Sequence, residues 1–202
     1  DIVNYINDLA DNAKANTVSR RVTAISENHI AGGYQENNPA KHVMVHNAMQ
    51  AIRREKGTFQ HGKAPILMET LPLLADMLSG SDLVTLRDKA LLFLGFAGAF
   101  RRSELVAVQI EDLTFTTQGM VVFIPQSKGD QLGAGSEIAI PYAPQKEICA
   151  VRAVRNWMEA AGITSGPLFR GFKRNLQPRD TQLNDKAVAE IVKKYMARLG
   201  LD

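Results

Sequence analysis

Residues 91–113 read LLFLGFAGAFRRSELVAVQIEDL, and the parsing of this stretch governs the rest of the chain. A strongly apolar helix, Leu83 to Ala99, runs straight into Arg101-Arg102-Ser103-Glu104, and a second apolar segment begins at once. An arginine set between two core-forming segments is costly unless its guanidinium meets an anion or a carboxylate. Glu104, three residues on, can hold Arg101 by a charge-assisted bond, and a new helix starting near Ser103 adds backbone donors that favour an anion. Two readings stay open here. One is a buried Arg–Glu pair that ties helices together; the other is an anion site.

Downstream of this stretch the hydrophobic period switches from 3.6 to 2. Phe115 alternates with threonines, Gln118-Gly119 makes a turn, and Val121 to Ile124 and Glu137 to Pro141 follow, which predicts three short antiparallel strands. Gln126-Ser127-Lys128-Gly129-Asp130 stands at a strand end, ahead of a loop with Gly133 and Gly135. A lysine on a β-turn is commonly a solvated charge. It can also serve as a mobile proton donor, because lysine shifts its pKa readily when a site closes over it. Two closing helices come next. One carries Ile148, Val151, Val154 and Met158 inward and ends near Gly162; the other runs from an Asn184 cap to Gly200 and buries Val188, Ile191, Tyr195 and Leu199.

Upstream, residues 1 to about 56 predict a compact helical unit. Ile2, Ile6, Leu9 and Ala10 form one stripe. Val18, Val22, Ile25 and His29 form a second behind Asn16 and Thr17, both plausible caps, with a stop at Gly32-Gly33. A third helix after Pro39 turns Val45, Ala48, Met49 and Ile52 inward. On the outward side of the second helix stand Arg20, Thr23 and Glu27, with Thr17 at its amino end and Arg21 on the flank. That is the ordinary solvated face, and it is also how major-groove readers are built. Arg53, Arg54 and Lys56 near the end of the third helix complement the helix dipole or a polyanion. The polar stretch 56–65, KGTFQHGKAP, reads as a linker, and Leu71 to Leu78 as a helix. The fold class is therefore mainly α (α+β), divided into a helical domain over 1–57, a linker over 58–65 and a larger domain over 66–202.

Composition bounds the function classes. At 202 residues and 45% apolar content the chain is one large or two small globular domains and not a disordered segment. One cysteine, Cys149, excludes a disulfide framework or a cysteine-rich zinc module and suits a reducing compartment. The longest apolar run, Ala90 to Phe100, is too short to span a bilayer, and the opening residues do not read as a signal peptide. A net charge of +3 and a pI of about 9.0 hint only weakly at a polyanionic partner. A start at Asp1 reads as a processed or trimmed fragment.

Taken in order, these pieces resemble the tyrosine recombinase (phage integrase) family, the group of the Cre and Xer recombinases. The pattern G-x-x-R-x-x-E-L followed by an acidic-Asp-Leu falls on Gly98, Arg101, Glu104, Leu105 and Asp112-Leu113. The T-x-x-R-x-x-x-A-I pattern of the family's core-binding domain falls on Thr17, Arg20, Ala24 and Ile25, and a closing basic segment on Ile52-Arg53-Arg54. The resemblance covers essentially the whole chain. It implies a SAM-like core-binding domain followed by part of a DNA breaking-rejoining catalytic domain. It also implies Arg101 as a catalytic arginine, with Arg102 its neighbour, Lys128 as the catalytic lysine of the strand turn, and Glu104 as the orienter of the arginine; Asp112 is structural. DNA contacts are implied for Thr17, Arg20, Arg21, Arg53, Arg54, Lys56 and Arg102. The guanidinium at 101 is expected to open into a basic cleft close to the ammonium at 128.

The same resemblance implies a tyrosine that attacks a DNA phosphodiester, giving a 3′-phosphotyrosine and a free 5′-hydroxyl, with no metal or nucleotide cofactor because the link conserves the bond energy. The family's His-x-x-Arg box and its nucleophilic tyrosine belong after Gly200-Leu201-Asp202. All four histidines (His29, His42, His46, His61) precede Arg101, and Tyr195 sits on the apolar stripe of its helix, ahead of the place for that box. The expectation is a recombinase cut within its catalytic domain, inactive alone and monomeric, whose full-length parent forms a tetramer on double-stranded DNA. It would act in the cytoplasm at the nucleoid, away from membranes, its two domains closing as a clamp on the duplex and binding with a steep salt dependence. A non-catalytic DNA-binding relic or regulator is the alternative. A purely structural helical protein explains the stripes but leaves Arg101, Glu104 and Lys128 as coincidence.

Overall fold

The structure is a computed structural model, and it describes residues 2–59, 62, 64–125 and 135–201. Its contacts divide into two compact units, Asp1–Gly62 and Lys63–Asp202.

The first unit packs α1 (Ile2–Asn12), α2 (Ala15–Ala31) and α3 (Val43–Lys56) around Ile6, Ala10, Ala15, Val18, Val45, Met49 and Ile52. The stripes are those of a 3.6-residue period, so each helix gives one apolar face to the others. Asn16 and Thr17 do not cap α2. The helix begins at Ala15 behind Lys14, and both residues lie inside its first turn, with the Thr17 N–H bonded to the Lys14 carbonyl at 2.8 Å. The loop ahead of α3 is fixed instead by buried Asn38. Its amide donates to the Ser26 carbonyl and hydroxyl, both at 3.0 Å, while its Oδ1 accepts from the Ala40 N–H at 3.1 Å.

The second unit holds α4 (Thr70–Met77), α5 (Leu83–Ala97) and α6 (Arg102–Ala107). A three-stranded antiparallel sheet follows, of β1 (Leu113–Phe115), β2 (Gly119–Ile124) and β3 (Ser136–Pro141) in that order. Then come α7 (Ala150–Ala161), a hairpin of β4 (Arg170–Phe172) and β5 (Pro178–Gln182), and α8 (Asp185–Arg198). The protein is mainly α with a small antiparallel sheet. In β2, Met120, Val122 and Ile124 are buried and Val121 and Phe123 are not, which is the period of two that marks a half-buried strand. The register pairs Val122 with Leu113 on one side and Ile138 on the other.

The core lies between α5 and α7. Trp157 is completely enclosed there, its indole N–H donating to the Leu168 carbonyl at 2.8 Å. It was not on the predicted stripe, whose member Met158 is only half-buried. Gly162 ends α7 in the left-handed region, at φ 63°, where a side chain is strained. The β4–β5 hairpin is an addition to the expected elements. Among the described residues no helix is long and apolar enough to cross a membrane.

Candidate active site

The turn from α5 into α6 decides where Arg101 points. Gly98 has the Phe100 ring pressed against it so closely that an added Cβ would lie 2.2 Å from a ring carbon. Ala99 takes the left-handed conformation at φ 48°, the Ala99 N–H bonds the Phe96 carbonyl at 3.3 Å, and the Phe100 N–H bonds the Gly95 carbonyl at 3.2 Å. This pairing is a Schellman ending with an alanine where glycine is usual, so the turn carries backbone strain of about 1 kcal/mol or slightly more. It delivers Arg101 to the N-cap of the next helix.

Arg101 caps α6 through its backbone. Its N–H donates to Glu104 Oε2 at 2.9 Å, and its Nη1 donates to Glu104 Oε1 at 2.5 Å. An arginine side chain has no acceptor, so only the glutamate half of a capping box is made. The pair is not buried in the way the flanking apolar segments suggest. The Arg101 side chain is 57% exposed, whereas that of Glu104 is 11% exposed. Glu104 is the enclosed partner, and of the five guanidinium donors only Nη1–H is engaged, with Glu104, among the described residues. Burial pushes the Glu104 carboxyl up, but the Arg101 N–H and guanidinium outweigh it and hold it below the ordinary carboxylate value. The carboxylate therefore stays charged and keeps the arginine in place.

Beside Glu104 lies a cleft of about 320 Å³ that also touches Ser103, Asp112, Ile124 and Pro125, the last two at the end of β2. Lys128 and its turn lie outside the described residues. The predicted structural part of Asp112 is visible in its Oδ2, which accepts the Gln109 N–H at 2.8 Å and closes the short turn before β1. Arg102 is exposed on the other side of α6 and lines a separate apolar cleft with Phe96, Phe100 and Val192.

In the first unit Thr17, Arg20, Arg21, Arg53, Arg54 and Lys56 are all exposed. Arg53 Nη2 donates to Ser19 Oγ at 3.1 Å, which brings the basic end of α3 against α2 between Thr17 and Arg20. Lys56 is set apart from that contact, in a cleft formed with Asp11, Lys14 and Asn16. Among the described residues no group of three or more His, Cys, Asp or Glu side chains is placed to hold a metal ion.

One cluster had no sequence signal. Arg87 and Asp88 are both buried in α5, with Arg87 Nε and Nη2 donating to Asp88 Oδ1 at 2.9 and 2.6 Å. Arg87 Nη1 reaches the Arg170 carbonyl at 3.3 Å, and its guanidinium lies over the Phe172 ring. Asp88 Oδ2 accepts from the Tyr195 hydroxyl at 3.0 Å and has Lys194 Nζ 3.6 Å away. Burial first, then the charge of Asp88 and its hydrogen bond, push the Tyr195 hydroxyl far above its ordinary value. A tyrosine so placed keeps its proton.

No protein-family model matches the chain. It is 68% identical over all 202 residues to a protein of Selenomonas ruminantium named integrase/recombinase xerD homolog, and it spans 59% of that relative's length. The similarity runs over the whole chain, and the protein it matches is named as an integrase/recombinase.

Proposed function

We propose that the chain is the duplex-binding part, with half of the catalytic centre, of a site-specific DNA recombinase that works through a 3′-phosphotyrosine. The observation that carries this reading is Arg101: a guanidinium anchored by a largely buried glutamate at a helix entry, with donors left over for an oxyanion. Charge grows on the non-bridging oxygens of a phosphodiester under attack, and a fixed planar fork of donors stabilises it there. Glu104 orients that fork. Lys128 protonates the leaving 5′ oxygen. The assignment of Lys128 rests on its place in the Gln126-to-Asp130 stretch, as the resemblance implies.

Residues 1–57 act as the core-binding domain, with Thr17, Arg20, Arg21, Arg53, Arg54 and Lys56 on DNA; 58–65 is the linker, and 66–202 the start of the catalytic domain, where Arg102 adds a contact. The full-length enzyme works as a tetramer on DNA, at the nucleoid. The 202 residues contain no His-x-x-Arg sequence, and Tyr195 is committed to Asp88. Incubation with a nicked suicide duplex therefore yields salt-dependent binding and no covalent adduct. A phosphotyrosine adduct formed by these residues refutes the half-site reading, and absence of duplex binding refutes the DNA reading.

A further inference from the structure

The hairpin of β4 and β5 carries a charge pattern that the proposed function leaves unused. Between residues 170 and 182 stand four cations, Arg170, Lys173, Arg174 and Arg179, against one carboxylate, Asp180, a net +3. The whole chain also carries a net +3, so the remaining residues are balanced and the excess is held in thirteen positions.

The base of the hairpin is rigid. Arg170 is turned inward, its Nε on the Pro167 carbonyl at 2.8 Å and its Nη2 on the Ser165 carbonyl, while Phe172 meets Trp157 edge-on and lies beneath Arg87. The tip is ordered too. The Lys173 N–H bonds the Gln177 carbonyl at 2.8 Å, the Leu176 N–H bonds the Lys173 carbonyl at 3.0 Å, and Asn175 Oδ1 accepts from the Gln177 N–H at 3.3 Å. Lys173, Arg174 and Arg179 are exposed on this framework. Arg179 is steadied by a bond from its Nε to the Phe172 carbonyl at 3.0 Å, and Arg174 makes no pairing among the described residues. Asp180, with its side chain 88% exposed, stands 3.8 Å from Arg170 and 4.0 Å from Lys173. Pairs that long and that wet neutralise little charge.

We infer that the β4–β5 hairpin is a second DNA-binding element, which seats Lys173, Arg174 and Arg179 on the phosphate backbone of a duplex. The inference rests on the proposed duplex-binding function and adds a contact outside both Arg101 and the first unit. A preorganised basic turn suits a phosphate backbone because each contact releases condensed counterions without ordering a loop.

Fluorescence anisotropy with a labelled duplex tests it, using the full 202 residues across a salt series. Lys173→Gln/Arg174→Gln, which changes only exposed tip residues, is expected to weaken binding on the order of tenfold and to make the log K against log salt slope shallower by about two. Asp180→Asn is expected to tighten binding a few-fold, a gain that misfolding cannot imitate. A matched loss of charge on α8, Lys186→Gln/Lys193→Gln, is expected to change affinity less than twofold. If the unaltered chain binds duplex while the tip variant matches it in affinity and slope, the hairpin assignment fails and the duplex-binding function stands. Equal losses from the tip and α8 variants also overturn the assignment, since the effect is then one of net charge. If the unaltered chain shows no salt-dependent duplex binding, both fall together.

Discussion

Two arginine–carboxylate pairs stand at opposite ends of the same stretch of chain, and they are built for opposite ends of the energy scale. Arg87 and Asp88, near the start of α5, are 9% and 1% exposed, and between them they engage Arg170, Phe172, Tyr195 and Lys194. Arg101 and Glu104, at the entry to α6, share a bond just as short, yet the guanidinium remains 57% exposed. The first pair has used its donors on the fold. The second has anchored one end and kept the rest. Bond length therefore does not distinguish the two pairs; the exposure of the guanidinium does.

The largest effect belongs to the buried pair. Asp88→Ala leaves the Arg87 charge enclosed without its partner and is expected to cost about 3–5 kcal/mol of stability in urea unfolding. Tyr195→Phe removes only the hydroxyl that bonds Asp88 and is expected to cost about 1–3 kcal/mol. Losses below about 0.5 kcal/mol for both erase the contrast between the two pairs.

The exposed pair is sharpened by pH. The folded Glu104 carboxyl lies below its ordinary value of 4.5, so its contribution is complete above that value and is lost as pH falls through the folded value. Unfolding free energies measured from pH 7 downward are expected to show the wild type and Glu104→Gln converging as the glutamate protonates. Curves that run parallel through that range contradict the assigned pairing. Smallest of all is Ala99→Gly, which relieves the left-handed strain at φ 48° but adds freedom to the unfolded chain. It is expected to leave stability unchanged or raise it by less than about 1 kcal/mol, with Arg101 still at the head of α6. A loss on thermal melting instead means that the alanine side chain is a packing contact.

The same contrast explains what was legible in the sequence. The switch of period at Phe115 to Ile140 and the stripes of α1, α3 and α8 are local patterns, and the structure follows them. Arg101 stood out because apolar segments flank it, although that flanking suggested burial where the structure places an exposed side chain. Arg87 and Asp88 gave no signal, because neighbours in a helix do not ordinarily face one another and their partners lie far along the chain, Tyr195 by 107 residues. The β4–β5 hairpin was hidden for a related reason. Residues 170–182 show little apolar alternation, and what holds them is Phe172 beneath Arg87 and against Trp157. The start of α2 at Ala15 lies ahead of both Asn16 and Thr17, good caps that the fold does not use.

Arg101 itself is best probed by a paired experiment on the intact chain, measuring the unfolding free energy and the salt-dependent duplex affinity of Arg101→Ala beside the wild type. An arginine whose donors serve a phosphate predicts stability within about 1 kcal/mol of wild type, with affinity several-fold weaker and a salt slope shallower by about one. Unchanged affinity and slope, together with a stability loss above about 2 kcal/mol, would make Arg101 a tie between α5 and α6 like its buried counterpart, and the proposed role in strand transfer would not survive.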